Sequence, residues 1–341
     1  VTAIRTLAQL EDALSKPTQA VIETLSALKG DILLLGVGGK MGASLARMAR
    51  RASDASGTRR RIIGVSRFSN KTLPAQLRSW SIEPIACDLL DRRQLARLPD
   101  APNIIYMPAL KFGSAENQSL AWAMNAYLPA LVCEKFPRSR IVAFSTGNVY
   151  PLAPVRSRGS RETDPPAPVG EYGMSCLGRE RIFEYFSRAN GTPVALLRLY
   201  YANEMRYGTL VDIAQKVWRN EPINITTGYF NAIWQGDANA MTLQSFAHVS
   251  SPPFVVNIVG EKLLSIRNLA EQFGKLMNKK PRLLGKESPD AFHGDARKCA
   301  QLFGKPRVTD RQLIRWIADW TMRGGETLNK PTHFETRNGK Y

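Results

Sequence analysis

The sequence predicts an α/β chain: a doubly wound parallel sheet with helices on both faces and a smaller, mixed C-terminal lobe. Three observations carry this expectation. Short apolar runs recur between residues 30 and 200 and read as strands buried on both faces. Segments of helical periodicity separate them, so the repeating unit is βαβ with right-handed crossovers. Beyond about residue 204 the simple alternation stops and helix and strand signals mix.

Residues 1–29 carry helical periodicity through Leu7, Leu10, Leu14, Val21, Leu25 and Leu28, broken at Pro17, and are expected to be a helical lead-in. Strands follow at 32–35, 61–65, 82–87 and 103–109, then a long helix over about 115–136 and a fifth strand at 140–145. Residues 150–171, rich in Pro, Arg, Ser and Gly, read as a surface loop. A helix over 173–189 and a sixth strand at 193–200 close a first domain spanning 30–200. The second lobe, 201–330, is expected to hold helices at 210–218, from 239, at 266–277 and at 311–322. It also carries β-like stretches at 223–234 and 254–259, with the chain crossing back to the sheet near 235–260. Residues 331–341 are polar and expected to fray.

Composition narrows the class. The net charge is +18 over 341 residues, but the basic residues are spread along the chain without aromatic interleaving or a recognition-helix pattern. A solvated basic surface or an anionic small ligand is therefore expected rather than nucleic acid. No apolar run approaches the roughly 18 residues that span a bilayer, and the first residues lack the apolar centre of a signal peptide, so a cytoplasmic, membrane-free protein is expected. The four cysteines are widely separated, with no CxxC, and argue against a metal site or a disulfide framework.

The chemistry gathers at the strand ends. After the first strand, Gly36, Gly39 and Gly42 satisfy G-x-x-G-x-x-G; the alternative G-x-G-x-x-G would need glycine where Met41 stands. A glycine turn between a buried strand and a helix lets the backbone approach a pyrophosphate, whose charge meets free N–H groups at the helix start. The unit is thus a Rossmann-type dinucleotide domain. Ser66-Arg67 stands where an acid would bind an unphosphorylated ribose, and with Lys40 suits a 2′-phosphate, so NADP is expected, with NAD possible. Asp88-Leu89 after the third strand offers an acid to the adenine amine. Met107-Pro108-Ala109 ends the fourth strand, Lys111 follows, and Asn125 lies in the next helix. The fifth strand ends in Ser145-Thr146-Gly147-Asn148-Val149-Tyr150, and Glu171-Tyr172-Gly173-Met174-Ser175-Cys176 opens the next helix.

This succession resembles the extended short-chain dehydrogenase/reductase family, the NAD(P)-dependent epimerase/dehydratase group acting on sugars and nucleotide sugars. The likeness runs over about residues 30–305. It includes the glycine turn, the acid after strand three, Thr146 to Tyr150, and the Glu162, Asp164, Pro166 run. Arg198, Asp237, Asn257 and residues 264–277 extend it. The resemblance implies that Thr146 hydrogen-bonds the substrate oxygen and that Tyr172 is the acid/base during hydride transfer. It implies cofactor contacts from the glycine turn with Lys40 and Met41, from Ser66, Arg67, Asp88 and Leu89, and from Pro108, Ala109, Lys111, Asn125, Tyr172 and position 176. Asn148, Tyr201 and Asn203 are the implied substrate contacts, and a homodimer through the helices after strands four and five is the implied assembly.

Departures matter. The family has Tyr-x-x-x-Lys, and here the fourth residue after Tyr172 is Cys176. That lysine binds the nicotinamide ribose and lowers the tyrosine pKa, without which only roughly 0.1% of a tyrosine of pKa about 10 is ionised at pH 7. Arg179 and Lys111 are the candidate replacements. Gly147 and Asn148 stand where dehydratases carry Asp-Glu, which disfavours elimination. Tyr201 stands where a substrate-binding Asn is usual, with Asn203 the nearest amide. Two functions stay open: an NAD(P)-dependent oxidoreductase or epimerase, and a catalytically impaired family member that senses or regulates.

Overall fold

The computed structural model describes residues 3–340, so Val1 and Thr2 of the expected lead-in and Tyr341 of the expected tail lie outside the described residues. The lead-in is two helices, α1 (Leu7–Leu14) and α2 (Gln19–Ala27), on either side of Pro17. Thr6 and Thr18 cap them by accepting hydrogen bonds from the N–H groups of Gln9 and Val21. Then come β1 (Ile32–Leu35), α3 (Gly42–Ala55), β2 (Ile62–Ser66), α4 (Leu73–Ser79), β3 (Glu83–Ala86), α5 (Arg92–Ala96) and β4 (Asn103–Tyr106). The single long helix expected next is broken. α6 (Gln118–Trp122) and α7 (Leu128–Lys135) flank a π-helical turn at Ala123–Tyr127, where the fully buried Asn125 spends its amide on another segment. β5 (Arg140–Thr146), β6 (Ala153–Pro154), α8 (Gly170–Asn190), β7 (Val194–Leu199) and β8 (Tyr201–Asn203) follow.

Seven strands form one sheet in the order 3-2-1-4-5-7-11, parallel at every pairing. The seventh, β11 (Phe254–Ile258), arrives from the second lobe. Before it run α9 (Thr209–Trp218), β9 (Pro222–Asn224), β10 (Tyr229–Trp234) and α10 (Gln235–Gln244). After it come β12 (Leu263–Ser265), α11 (Ile266–Met277), β13 (Arg282–Leu284), β14 (Asp290–Ala291), α12 (Arg297–Phe303) and α13 (Asp310–Met322). The β-like stretch expected at 223–234 is two strands, β9 and β10, in separate small sheets.

Strand alternation sorts the core. Ile32, Leu34, Ile105, Val142 and Leu197 face one layer, with Leu45, Met48 and Ala52 of α3 and Met241 and Leu243 of α10. Leu33, Leu35, Ile104, Tyr106 and Ile141 face the other, with Leu131 and Val132 of α7 and Phe183 of α8. A separate apolar cluster, including Leu210, Ile213, Phe230, Phe273 and Ile317, holds the second lobe. All ten residues of α10 are buried, and the side-chain amides of Gln235 and Asn239 donate to Ser44 Oγ of α3 at 3.1 and 3.0 Å. A helix buried all round needs such partners.

The tail departs from its expected fraying. Phe334 is only 4% exposed, and the backbone N–H and hydroxyl of Thr332 donate to Asp212 Oδ2 at 2.8 and 2.6 Å. Lys216 pairs with Glu335, and Arg337 donates to the Asp290 carbonyl at 2.9 Å. Gly339 packs on the backbone of Val169 and Gly170 at the start of α8. Thr332, Glu335 and Arg337, among the polar residues that suggested disorder, find partners on the second lobe, and one phenylalanine anchors the strap.

Candidate active site

The glycine turn sits where β1 gives way to α3. Gly36, at φ +87°, donates to the Val65 carbonyl at 2.9 Å, and a Cβ there would stand 3.0 Å from the Pro108 nitrogen. A Cβ on Gly42 would lie 2.2 Å from the Val37 carbonyl oxygen, so glycine is required for α3 to begin so close to the turn. Gly39 differs: its Cβ would meet only the Gly36 oxygen, at 3.3 Å, and otherwise open space. Met41 is the N-cap of α3 and makes no side-chain cap, while Ser44 turns its hydroxyl to the Met41 carbonyl. The first-turn N–H groups thus lack a side-chain cap, beside a cradle that only glycine keeps clear. These residues fit a pyrophosphate.

Ser66 ends β2 beneath this turn, where a Cβ on Gly38 would be 2.5 Å from its hydroxyl oxygen. Arg67 is three-quarters exposed and lies 3.9 Å from Asp88 Oδ2, so the expected adenosine-end residues share one edge. Leu89, by contrast, is buried in the core between β3 and α5 and serves packing. Lys40 does not join Arg67. Its ammonium lies 3.2 Å from the centroid of the Tyr207 ring and 4.8 Å from that of Phe112. Burial, then the neighbouring Lys111 and Lys330, pull it down to about 7. Tyr207 is a contact that sequence reasoning missed, since it belongs to the other lobe.

Asn125 is not a ligand contact either. Its Oδ1 accepts from the Leu110 N–H at 2.9 Å, and its Nδ2 donates to the Leu110 carbonyl at 2.9 Å and to Ser175 Oγ at 3.0 Å. It clasps the loop after β4, which carries Pro108, Ala109 and Lys111, to α8. Cys176 is fully buried under the cleft, and burial raises its thiol. It faces Tyr172 from one turn further along α8.

Thr146, the last residue of β5, and Tyr172, in the first turn of α8, come together: Thr146 and Cys176 both lie close enough to the Tyr172 phenol to shift it. Thr146 also donates to Asn148 Oδ1 at 3.1 Å and accepts from the Asn148 N–H at 3.2 Å, which places Asn148 beside it. Burial, and then Cys176, push the Tyr172 phenol well above its usual 10, while Arg179 and Thr146 oppose the rise. Tyr172 is therefore a neutral donor at pH 7.

The remaining substrate expectations fare differently. Asn203 is fully buried, its Nδ2 donating to the Tyr201 carbonyl at 2.8 Å and its Oδ1 accepting from the Leu210 N–H at 3.0 Å. One end of the amide is spent within β8 and the other on the start of α9. The ring of Tyr201 meets Phe230 edge-on at 5.2 Å, within the packing of the second lobe. Tyr200, the residue before it, packs its ring against both Gly147 and Gly294. Below it a buried network fixes the strand end: Arg198 grips Glu180 at 3.0 and 2.7 Å, Ser145 donates to Glu180 at 2.5 Å, and Tyr150 bonds Asn257 at 3.1 Å. Among the described residues, no group of three or more His, Cys, Asp or Glu side chains could hold a metal ion.

A model of the NAD dependent epimerase/dehydratase family matches residues 32–202. The chain belongs to that family. Solved structures agree with the fold. The UDP-glucose 4-epimerase of Thermotoga maritima with UDP-glucose is 17% identical, with a TM-score of 0.71 over 86% of this chain and 99% of that one. The UDP-glucuronic acid 4-epimerase of Bacillus cereus with UDP-glucuronic acid and NAD has the same identity, TM-score and coverage. The UDP-glucose 4-epimerase of Thermus thermophilus with NAD is 17% identical at a TM-score of 0.68, over 86% and 99%. No curated protein sequence matches the chain. Within the family frame, the glycine turn, Thr146 and Tyr172 occupy one continuous edge at the carboxyl ends of β1, β2, β4 and β5. That edge is where open parallel sheets bind ligands.

Proposed function

We propose that this chain is an NAD(P)-dependent oxidoreductase or epimerase acting on a sugar or nucleotide-sugar-like substrate, with Tyr172 as acid/base. The observation that carries the reading is the juxtaposition of Thr146 and Tyr172 at the strand ends, beside an uncapped helix start behind a glycine cradle. The dinucleotide, when bound, supplies the hydride acceptor or donor. The chain does the rest. The turn from Gly36 to Gly42 holds the pyrophosphate, and Ser66 with Arg67 receives the ribose 2′-phosphate, so NADP is preferred to NAD. Thr146 Oγ1 orients the substrate oxygen, and Tyr172 Oη holds the proton that this oxygen gives or takes.

Leu120, Trp122, Tyr127 and Tyr185 are exposed on α6, the π turn and α8, which supports pairing of two copies through these helices. No helix among the described residues is long and apolar enough to cross a membrane.

The test is turnover with NADP or NAD on a panel of sugars and nucleotide sugars, for the parent and Tyr172→Phe, beside dinucleotide binding. Loss of at least about a hundredfold in rate with binding retained is expected, in the range of acid/base contributions. Full turnover by Tyr172→Phe would remove the catalytic assignment. Binding without turnover in the parent favours the sensor function, whose motivating feature is Cys176.

A further inference from the structure

We propose that Lys111, on the loop after β4, has taken over the cleft-cation role that the residue at position 176 cannot play: it contacts the bound dinucleotide and stabilises the Tyr172 phenolate. This rests on the reading of Tyr172 as acid/base. Two cations reach the Tyr172–Cys176 pair, and the structure separates their work. Arg179, 2% exposed, donates to the Phe144 carbonyl at 2.9 Å and to the Asn125 carbonyl and Oδ1 at 3.3 and 2.9 Å. Its guanidinium is locked beneath the pair, so it contributes a permanent field and cannot touch a ligand.

Lys111 is different. It is half-buried in the cleft, with its ammonium 5.6 Å from the centroid of the Tyr172 ring and close enough to Cys176 to be stabilised by its thiolate form. Its position is not that of a loose surface lysine. Leu110, the residue before it, is held on both its N–H and its carbonyl by Asn125, and Asn125 is bonded in turn to Ser175 and Arg179 of α8. Loop, π turn and catalytic helix are therefore one bonded unit, and that unit delivers the ammonium. Burial brings Lys111 down to about 8, so it is still mostly protonated at neutral pH. Lys40 of the glycine turn is also near enough for its charge and that of Lys111 to repel. A lysine at position 176 would add an ammonium to this crowd. The small, neutral Cys176 is consistent with the cation having moved across the cleft.

The test compares the parent with Lys111→Met, Lys111→Arg, Cys176→Lys and the double variant Lys111→Met/Cys176→Lys. The first readout is calorimetric affinity for NADP and NAD at pH 7, which needs no turnover. Lys111→Met should bind about tenfold or more weakly, Lys111→Arg should stay within about threefold of the parent, and the double variant should recover most of the loss. The second readout is the pH at which turnover reaches half its maximum. It should rise by about one unit in Lys111→Met, as expected for removal of a nearby cation, and return in the double variant. Cys176→Lys alone should bring no gain. If substitutions at Cys176 do not fold, the contrast of methionine with arginine at 111 still decides. Parental affinity and a parental pH profile in Lys111→Met, with Tyr172→Phe inactive, would overturn this inference alone. Full activity in Tyr172→Phe would overturn the reading beneath it.

Discussion

Gly39 offers a clean separation of folding from binding. The fold requires glycine at position 42, where a Cβ would lie 2.2 Å from a backbone oxygen, but not at 39, where one contact at 3.3 Å is all that a Cβ meets. Gly39→Val should therefore fold, with a stability change of about 1 kcal/mol or less, typical of an exposed site. Its branched side chain projects into the space beside the uncapped start of α3, where the pyrophosphate is expected. Hydrogen bonds to a charged group are worth about 1.5–3 kcal/mol each. Displacing the pyrophosphate from two N–H groups then costs about 3–6 kcal/mol, or about 100-fold to 10,000-fold in affinity at 1.4 kcal/mol per decade. Calorimetric titration with NADP and NAD measures this, with thermal unfolding of the same samples as the control for folding. A folded Gly39→Val protein that binds within threefold of the parent would refute the placement of the pyrophosphate.

Two further outcomes follow from the same geometry. Arg67→Asp should invert the order of NADP and NAD affinities, because Arg67 is exposed at the end of β2 with Asp88 as its neighbour at 3.9 Å; a parent that binds NAD at least as tightly as NADP would end that argument. Arg198→Met should destabilise the fold by about 3–5 kcal/mol, since it strands the buried Glu180 carboxylate with Ser145 as its remaining donor. The control Arg181→Met, which breaks an exposed pair with Glu184, should change stability by about 1 kcal/mol or less. Urea midpoints compare the two, and equal shifts would contradict the buried-charge account.

The sequence by itself determined the parallel sheet and the strand–glycine–helix unit, because each is a local pattern. An apolar run of four residues can hide only in a sheet covered on both sides, and β1 is fully buried as that requires. The glycine spacing states where backbone must approach backbone, and Gly36 and Gly42 meet it. Only the tertiary structure decided what polar side chains far apart in the chain do with their hydrogen bonds. Asn125 and Asn203 carry the amide that a ligand site would use, yet each spends both ends on nearby backbone, a choice invisible without the fold. Lys40 left the adenosine end for an aromatic ring 167 residues away in the chain, drawn by the face of Tyr207 from the second lobe. The polar tail became a fastened strap because Phe334 and Thr332 found a pocket and a carboxylate in that same lobe. The loss of lysine at position 176 was legible as a missing charge. The loop that carries Lys111, the cation proposed to replace it, is held by the clasp of Asn125 on Leu110, a contact across 15 residues that no local pattern encodes.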